Sequence, residues 1–230
     1  ALGGPWGRAI RVGLAAALAA VALAGPRWGF ERVMVRGQGV DVVLALDASL
    51  SMLAQDMRPS RLEVMKQEVR RLRAIAGADR VGVLAFAGRS YILTPLTVDA
   101  GALNLFLDNL DPSVVGQQGS SLSRTIRQGV SLLEASTSGS DRALVLMSDG
   151  ESHEPIEEIV AAARAAQEAG VAVVAVGFGT EAGGTIPQEI DGRIEPHRDE
   201  NGAVVTTRYS AANLRAVADA AQGTFIGAEE

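Results

Sequence analysis

Three near-continuous apolar runs constrain the fold of this 230-residue chain more than any other feature of its sequence. They read VDVVLAL at residues 40–46, ALVLM at 143–147 and VAVVAVGF at 171–178. Apolar runs of this length, without polar alternation, are typical of strands buried on both faces in a parallel sheet that helices cover. RVGVLAF at 80–86 predicts another buried strand, with a short partner at 91–93 across a hairpin turn.

Helical patterns separate these strands. The capping box Ser60-Arg-Leu-Glu63 opens a helix whose apolar residues recur at helical spacing, namely Leu62, Met65, Val69 and Leu72. Further helices are predicted over residues 99–109, from about 120 onward, over 156–169 and over 211–221, before a short last strand at 224–226. The alternation predicts an α/β fold with a doubly wound, mainly parallel central sheet flanked by helices.

One stretch, residues 185–208, breaks the alternation. It contains Asp191-Gly192 and Asn201-Gly202, which are both hairpin turn sequences. We therefore predict a β-hairpin insertion on the surface of the domain, at about residues 185–208.

The N-terminal segment is strongly apolar. Residues 12–25 carry no charge, and Arg8 and Arg11 precede them. With its flanks, the segment reaches the roughly 20 residues that a bilayer-spanning helix needs, provided that the flanking arginines extend to the interfaces. We predict an N-terminal transmembrane helix within residues 1–30, in contact with membrane lipid. A signal peptide cleaved near residues 22–24 and a buried core helix are the alternatives.

A linker at residues 31–38 and a domain at 39–230 would follow that helix. Arg8 and Arg11 predict a cytoplasmic N-terminal side, which would place the domain on the periplasmic side of a bacterial inner membrane. Arginines on the other flank of the helix weigh against this orientation. Because the chain begins with Ala, we expect it to be part of a longer protein.

Composition excludes several classes of function. The formal net charge of −6 argues against a nucleic-acid-binding protein, which needs an excess of Lys and Arg to neutralise phosphates. The chain has no Cys, so thiolate zinc sites, cysteine nucleophiles and disulfides are excluded. It has only two His, so metal sites and catalysis that depend on histidine start from a low expectation.

Two of the predicted buried strands end in oxygen-rich sequences. The first is followed by Asp47, Ser49 and Ser51, and another by Asp149. Because the carboxyl ends of parallel strands meet at one edge of the sheet, we expect these side chains to lie together. Carboxylate and hydroxyl oxygens suit Mg²⁺, with Mn²⁺ or Ca²⁺ as alternatives, and disfavour zinc. For the first motif alone, an ordinary turn or helix cap explains the residues equally well.

A fifth ligand is expected from the loop at residues 116–123, GQQGSSLS, just before a helix. Ser120 is the candidate, with Ser121 as its neighbouring alternative. The start of a helix at this point would also favour an incoming carboxylate.

These motifs resemble the metal-ion-dependent adhesion site, or MIDAS, of von Willebrand factor A domains. The segment from Asp47 to Leu62, the sequence around Asp149 and the N-terminal Ala-Gly-Pro-Arg-Trp resemble more narrowly the bacterial membrane-anchored Bat, or aerotolerance-operon, proteins. The resemblance covers nearly the whole chain. It implies a Rossmann-like fold and metal ligation by Asp47, Ser49, Ser51, Asp149 and Ser120, where the family usually has Thr.

The resemblance also implies a function. In the family, a partner protein fills an open metal position with its own Glu or Asp, and Bat proteins are encoded beside MoxR-type AAA+ ATPases. We therefore expect a metal-dependent protein-interaction module in a cell-envelope complex, with other Bat-type proteins and a MoxR-type ATPase as partners. Two alternatives stay open, a metal-assisted or serine hydrolase and a structural membrane scaffold with a silent site. No Gly-x-Ser-x-Gly elbow supports the hydrolase, and His153 is its only nearby base.

Overall fold

Six strands form the central sheet of this computed structural model, which describes residues 5–23, 39–77, 79–115, 119–137, 139–190 and 192–227. The strands are β1 (Asp41–Asp47), β2 (Arg80–Phe86), β3 (Ser90–Thr97), β4 (Arg142–Ser148), β5 (Val171–Gly177) and, near the end of the chain, β10 (Thr224–Ile226). Their order is β10-β5-β4-β1-β2-β3. Only β3 is antiparallel to its neighbour, which confirms the predicted mainly parallel α/β fold.

Helices cover both faces of this sheet. They are α2 (Arg61–Ala76), α3 (Ala100–Asp108), α4 (Pro112–Val115), α5 (Leu122–Glu134), α6 (Ile156–Glu168) and α7 (Ala211–Ala220). One hydrophobic core, which includes Ile126, Ile159 and Leu214, lies between the sheet and α5, α6 and α7. A second core, which includes Met65 and Leu107, lies under α2 and α3. The buried runs of the sequence are therefore the strands between these two cores.

Local signals placed these elements well, with two differences. The hydroxyl of Ser60 accepts a hydrogen bond from the amide of Glu63 at 3.2 Å, as the capping box predicts. Leu72 is exposed although its spacing places it on the apolar face, because the last turns of α2 extend beyond the core. The partner of β2 is an eight-residue strand, longer than residues 91–93, and irregularities in its pairing interrupt its pattern.

The predicted insertion contains two small ladders. Strands β6 (Gly184–Thr185) and β9 (Thr206–Thr207) pair at its base, while β7 (Pro187–Ile190) and β8 (Arg193–Pro196) form an antiparallel hairpin above them. The base therefore lies next to the domain, where the chain leaves and re-enters it.

The N-terminal part is a separate unit, Ala1–Gly37, whereas Gln38–Glu230 form the domain. Within the first unit, α1 (Pro5–Leu23) is helical. Over the part of the chain that the structure describes, no helix has both the length and the apolar character to cross a bilayer, so the predicted transmembrane helix is not confirmed. Arg8 and Arg11 lie inside α1 rather than at its edge, which shortens its uncharged part. Residues 1–4 and 24–30 of the predicted transmembrane helix, and the whole predicted linker at 31–38, lie outside the described residues.

Candidate metal centre

Asp47 is the last residue of β1, and the loop after it folds back onto its carboxylate. The amide of Ser49 donates to Asp47 Oδ1 at 2.9 Å, and the hydroxyl of Ser148 donates to Oδ2. Ser49 Oγ and Ser51 Oγ lie 2.8 Å apart, with Ser51 in the 3-10 turn Leu50–Leu53. One loop thus brings together, in a buried position, a carboxylate and the two hydroxyls that the sequence predicts as ligands.

Asp149 reaches the same edge because it follows β4, which pairs with β1. Its side chain is buried. Its Oδ1 accepts from the amide of Glu151 at 3.0 Å, and its Oδ2 accepts from Arg61 Nη1 at 2.9 Å. The charge of Asp47 and the hydroxyl of Ser51 both act on the pKa of this carboxyl group, so the loops after the two strands meet at this point.

Ser120, in the loop before α5, has a hydroxyl without a partner. Its Oγ is buried and makes no hydrogen bond to any residue that the structure describes. Its backbone carbonyl accepts from Ser152 Oγ at 3.1 Å. The hydroxyl of Ser121, the alternative candidate, donates instead to Glu154, which also accepts from the amide of Ser123 at 2.9 Å. The loop after β4 therefore fixes the start of α5. Of the two candidate serines, only Ser120 keeps a hydroxyl that is available as a metal ligand.

The electrostatics of the site favour a cation. Burial raises the pKa of Asp47 above its usual value. Burial, followed by the charge of Asp47, raises the pKa of Asp149 to about 7. The nearby carboxylate of Glu151 raises both values further. A divalent ion bound between these two buried carboxyl groups would stabilise their ionised form and so lower both raised pKa values.

A buried ion-pair network behind Asp149 is a feature that the sequence analysis did not predict. Arg61, the first residue of α2, is fully buried and donates twice to Asp56, at 2.8 and 2.7 Å, besides its bond to Asp149. Burial alone would raise the pKa of Asp56, but the bonds from Arg61 outweigh it and, with that from the Thr180 amide, lower the pKa to about 2. Arg61 is therefore shared between Asp56 and Asp149, and the pKa of Asp149 stays raised, at about 7.

One sequence signal could have indicated this network. A cation in the first turn of a helix is unfavourable next to the positive end of the helix dipole, so an Arg at position 61 implies a carboxylate partner elsewhere. With Asp47, Asp56 and Asp149 ionised, the four groups carry a net charge of −2, because Arg61 offsets one of the three carboxylates.

The site opens into a groove of about 460 Å³. Ser49, Ser51 and Ser120 lie on its lining, together with residues of the insertion such as Ile186 and Thr207. The two histidines of the chain, His153 and His197, also line it. A side chain that enters the groove can therefore reach the three hydroxyls, and it would lie against the residues of the insertion.

The donor set fits a hard divalent cation. Two carboxylates and three hydroxyls offer only oxygen, as Mg²⁺, Mn²⁺ and Ca²⁺ prefer. The unpartnered Oγ of Ser120 is the kind of buried polar atom that a bound cation would satisfy. No group of three or more His, Asp or Glu that could hold a metal occurs within the described ranges, so ligation here depends on the serines. That these residues bind an ion stays a prediction.

The sequence profile of the von Willebrand factor type A domain matches residues 42–151, which carry β1, β4 and the loops that follow them. The crystal structure of BatB from Bacteroides thetaiotaomicron is 35% identical and has a TM-score of 0.77, and the match covers 82% of this chain and 90% of that one. The chain belongs to the von Willebrand factor type A family and is of the Bat type. The resemblance predicted from the motifs is thereby confirmed.

Other relatives agree with this assignment. An aerotolerance-related membrane protein from Bacteroides fragilis is 35% identical with a TM-score of 0.76, over 82% of this chain and 91% of that one. A UPF0353 protein from Nocardia farcinica is 30% identical over 163 residues, which are 66% of this chain and 49% of that protein. The chain spans about half the length of the curated relatives it matches.

Proposed function

We propose that this Bat-type domain is a divalent-metal-dependent protein-interaction module, in which Asp47, Ser49, Ser51, Ser120 and Asp149 hold Mg²⁺. A bound Mg²⁺ supplies an open coordination position for a Glu or Asp of a partner protein. The residues of the chain orient the ion and shape the groove around it. The observation that carries the proposal is the convergence of two buried carboxylates and two mutually bonded hydroxyls with the unpartnered Oγ of Ser120.

The cellular setting is part of the proposal. The relative from Bacteroides fragilis is a membrane protein, and the N-terminal helix of this chain is followed by further apolar sequence. These features support attachment to a membrane through residues 1–30. We propose that this is the bacterial inner membrane and, because Arg8 and Arg11 favour a cytoplasmic N-terminal side, that the domain lies on the periplasmic side. We further propose that the domain works in a cell-envelope complex with other Bat-type proteins and a MoxR-type AAA+ ATPase.

Metal titration tests the site directly. Isothermal titration of the full chain in detergent with Mg²⁺, Mn²⁺ and Ca²⁺ should show one site that Asp47→Ala abolishes and Ser120→Ala weakens. Zn²⁺ belongs in the same series, because proximal thread matrix protein 1 of the mussel byssus has a zinc-occupied MIDAS motif. Asp219→Ala, which removes an exposed carboxylate on α7, is the matched control and should bind as the wild type does. Equal binding by wild type and Asp47→Ala would contradict the proposed site.

Partner capture tests the function. Envelope proteins that bind the wild type in Mg²⁺ should be lost in EDTA and lost with Asp47→Ala, but kept with Asp219→Ala. The same proteins bound in every condition would favour a structural scaffold with a silent site. Hydrolysis of a generic phosphate ester that Asp47→Ala removes would instead favour the metal-assisted hydrolase.

A further inference from the structure

The insertion forms a second wall of the groove that opens from the metal centre. Ile186, His197, Val205, Thr206 and Thr207 line the groove from the insertion, opposite the loop residues that carry the predicted metal ligands. A partner whose carboxylate reaches the metal would therefore contact the insertion at the same time. The position of the insertion relative to the metal centre thus determines which partners fit.

The base of the insertion is bonded to the ion-pair network behind the metal centre. Arg61 donates through Nη1 to Thr207 Oγ1 at 3.2 Å and through Nη2 to the Thr207 carbonyl at 3.4 Å. Thr180, just before the insertion, donates its amide and its hydroxyl to Asp56 Oδ2 at 2.9 and 3.1 Å. The same guanidinium bonds Asp149. One buried side chain thus contacts a predicted metal ligand and the wall of the groove.

Glycines allow the chain to pack closely around this network. A Cβ on Gly179, whose φ is +130°, would lie 2.8 Å from Arg61 Nε. A Cβ on Gly184, the first residue of the base, would lie 3.2 Å from Asp56 Cβ. Close packing on both sides leaves the guanidinium little room to move independently of the insertion.

We propose that Arg61 is a positioning residue that couples occupancy of the metal centre to the insertion, so that metal binding orders the groove wall that a partner meets. The proposal rests on the metal-dependent function above. A bound ion favours the conformations in which Asp149 keeps its native position. Because Arg61 bonds both Asp149 and Thr207, the same conformations hold the base of the insertion in place. The coupling acts on the selection of partner proteins, because it holds the insertion in place against the groove only when the metal is bound.

Hydrogen exchange of the full chain tests this coupling. In wild type, saturating Mg²⁺ should slow amide exchange in peptides covering residues 180–209 by about fivefold or more, relative to EDTA. Thr207→Val removes the hydroxyl that Arg61 contacts and nearly preserves the side-chain volume, so it should reduce this protection while Mg²⁺ still binds. Arg61→Met should abolish the protection. Arg70→Met, which removes an exposed ion pair with Asp108, is the matched control and should respond as the wild type does.

The outcomes separate the two proposals. If calorimetry shows that Mg²⁺ binds but exchange over residues 180–209 does not change in wild type, the coupling is wrong and the metal site stands. If Thr207→Val and Arg61→Met keep the full protection, Arg61 is not the coupling residue. If Arg61→Met does not fold, Thr207→Val decides the question. Absence of Mg²⁺ binding in wild type would overturn the proposed function and the coupling with it.

Discussion

Acidification should weaken Mg²⁺ binding by this domain, because one of the two carboxylates at the centre gains its proton as the pH falls through the neutral range. Asp149 is fully buried, and burial first and the charge of Asp47 second raise its pKa to about 7. A carboxylate binds a cation in its ionised form, so Mg²⁺ must displace the proton of Asp149 wherever that proton is bound.

The size of the effect follows from this pKa. With a pKa of about 7, the ionised fraction of Asp149 is roughly 3% at about pH 5.5 and roughly 75% at about pH 7.5. The Mg²⁺ affinity should therefore fall about 25-fold over that interval. Burial also raises the pKa of Asp47, so protonation of Asp47 adds to the loss of Mg²⁺ affinity at the acidic end of this range.

Calorimetry in buffers of different ionisation enthalpy measures both the affinity and the protons released. We expect about one proton released per Mg²⁺ bound well below pH 7, and almost none above pH 8. Asp219→Ala should follow the wild type, because the exposed carboxylate that it removes takes no part in the site. Asp149→Asn should bind Mg²⁺ weakly and with a smaller dependence on pH.

The stability of the metal-free protein should change in the opposite direction. The folded-state pKa of Asp149 lies above the ordinary value of 3.8, so its contribution to stability is fully present below that value and is lost as pH rises through about 7. Urea unfolding in EDTA should therefore give a lower free energy at about pH 7.5 than at about pH 5.5. An Mg²⁺ affinity that does not change over this range, with no proton release, would refute the reasoning.

Three other variants test the domain. Asp56→Asn should lower the free energy of unfolding at neutral pH by about 2 kcal/mol, because the pKa of Asp56 is lowered to about 2. This contribution to stability is present above the ordinary pKa of 3.8 and disappears as the pH falls towards 2. The unfolding free energies of wild type and variant, measured by urea titration, should therefore converge in acid. Ser120→Thr should tighten Mg²⁺ binding by about twofold to threefold, measured by calorimetry, because a β-branched side chain has less rotamer freedom to lose; weaker binding would show that the methyl group does not fit. Gly150→Ala should cost at least about 2 kcal/mol in urea unfolding, because φ is +75° and a Cβ would lie 2.3 Å from the Ser210 carbonyl oxygen; an unchanged midpoint would contradict this.

The sheet and the loops that carry the predicted ligands could be inferred from the sequence because each has a local signature. The buried runs report strands covered on both faces, and parallel pairing then requires Asp47 and Asp149 to meet at one edge. The helix start at α5 indicated the loop that carries Ser120 and Ser121, and the family resemblance then favoured Ser120. The strands and the meeting of the two aspartates needed only the period of the apolar pattern and the direction of the strands.

The network behind the site could not be inferred in the same way. Arg61 and Asp149 are 88 residues apart, and Arg61 and Thr207 are 146 apart, and no periodic pattern links such positions. The contact of Ser152 with the Ser120 carbonyl likewise depends on how two loops pack. The position of Arg61 at the start of α2 implies a carboxylate partner, but which carboxylate that is depends on the tertiary fold.

The insertion is held at its base and open at its turns, which makes this domain suitable as a scaffold for grafting. A Cβ at Gly192 or Gly202 would meet no atom within 4 Å, whereas Gly183 and Gly184 at the base are closely packed. Loops of different sequence or length could therefore replace the two turns without disturbing the metal loops. A library of turn sequences on one unchanged domain would yield binders that share the Mg²⁺ requirement and differ in their targets.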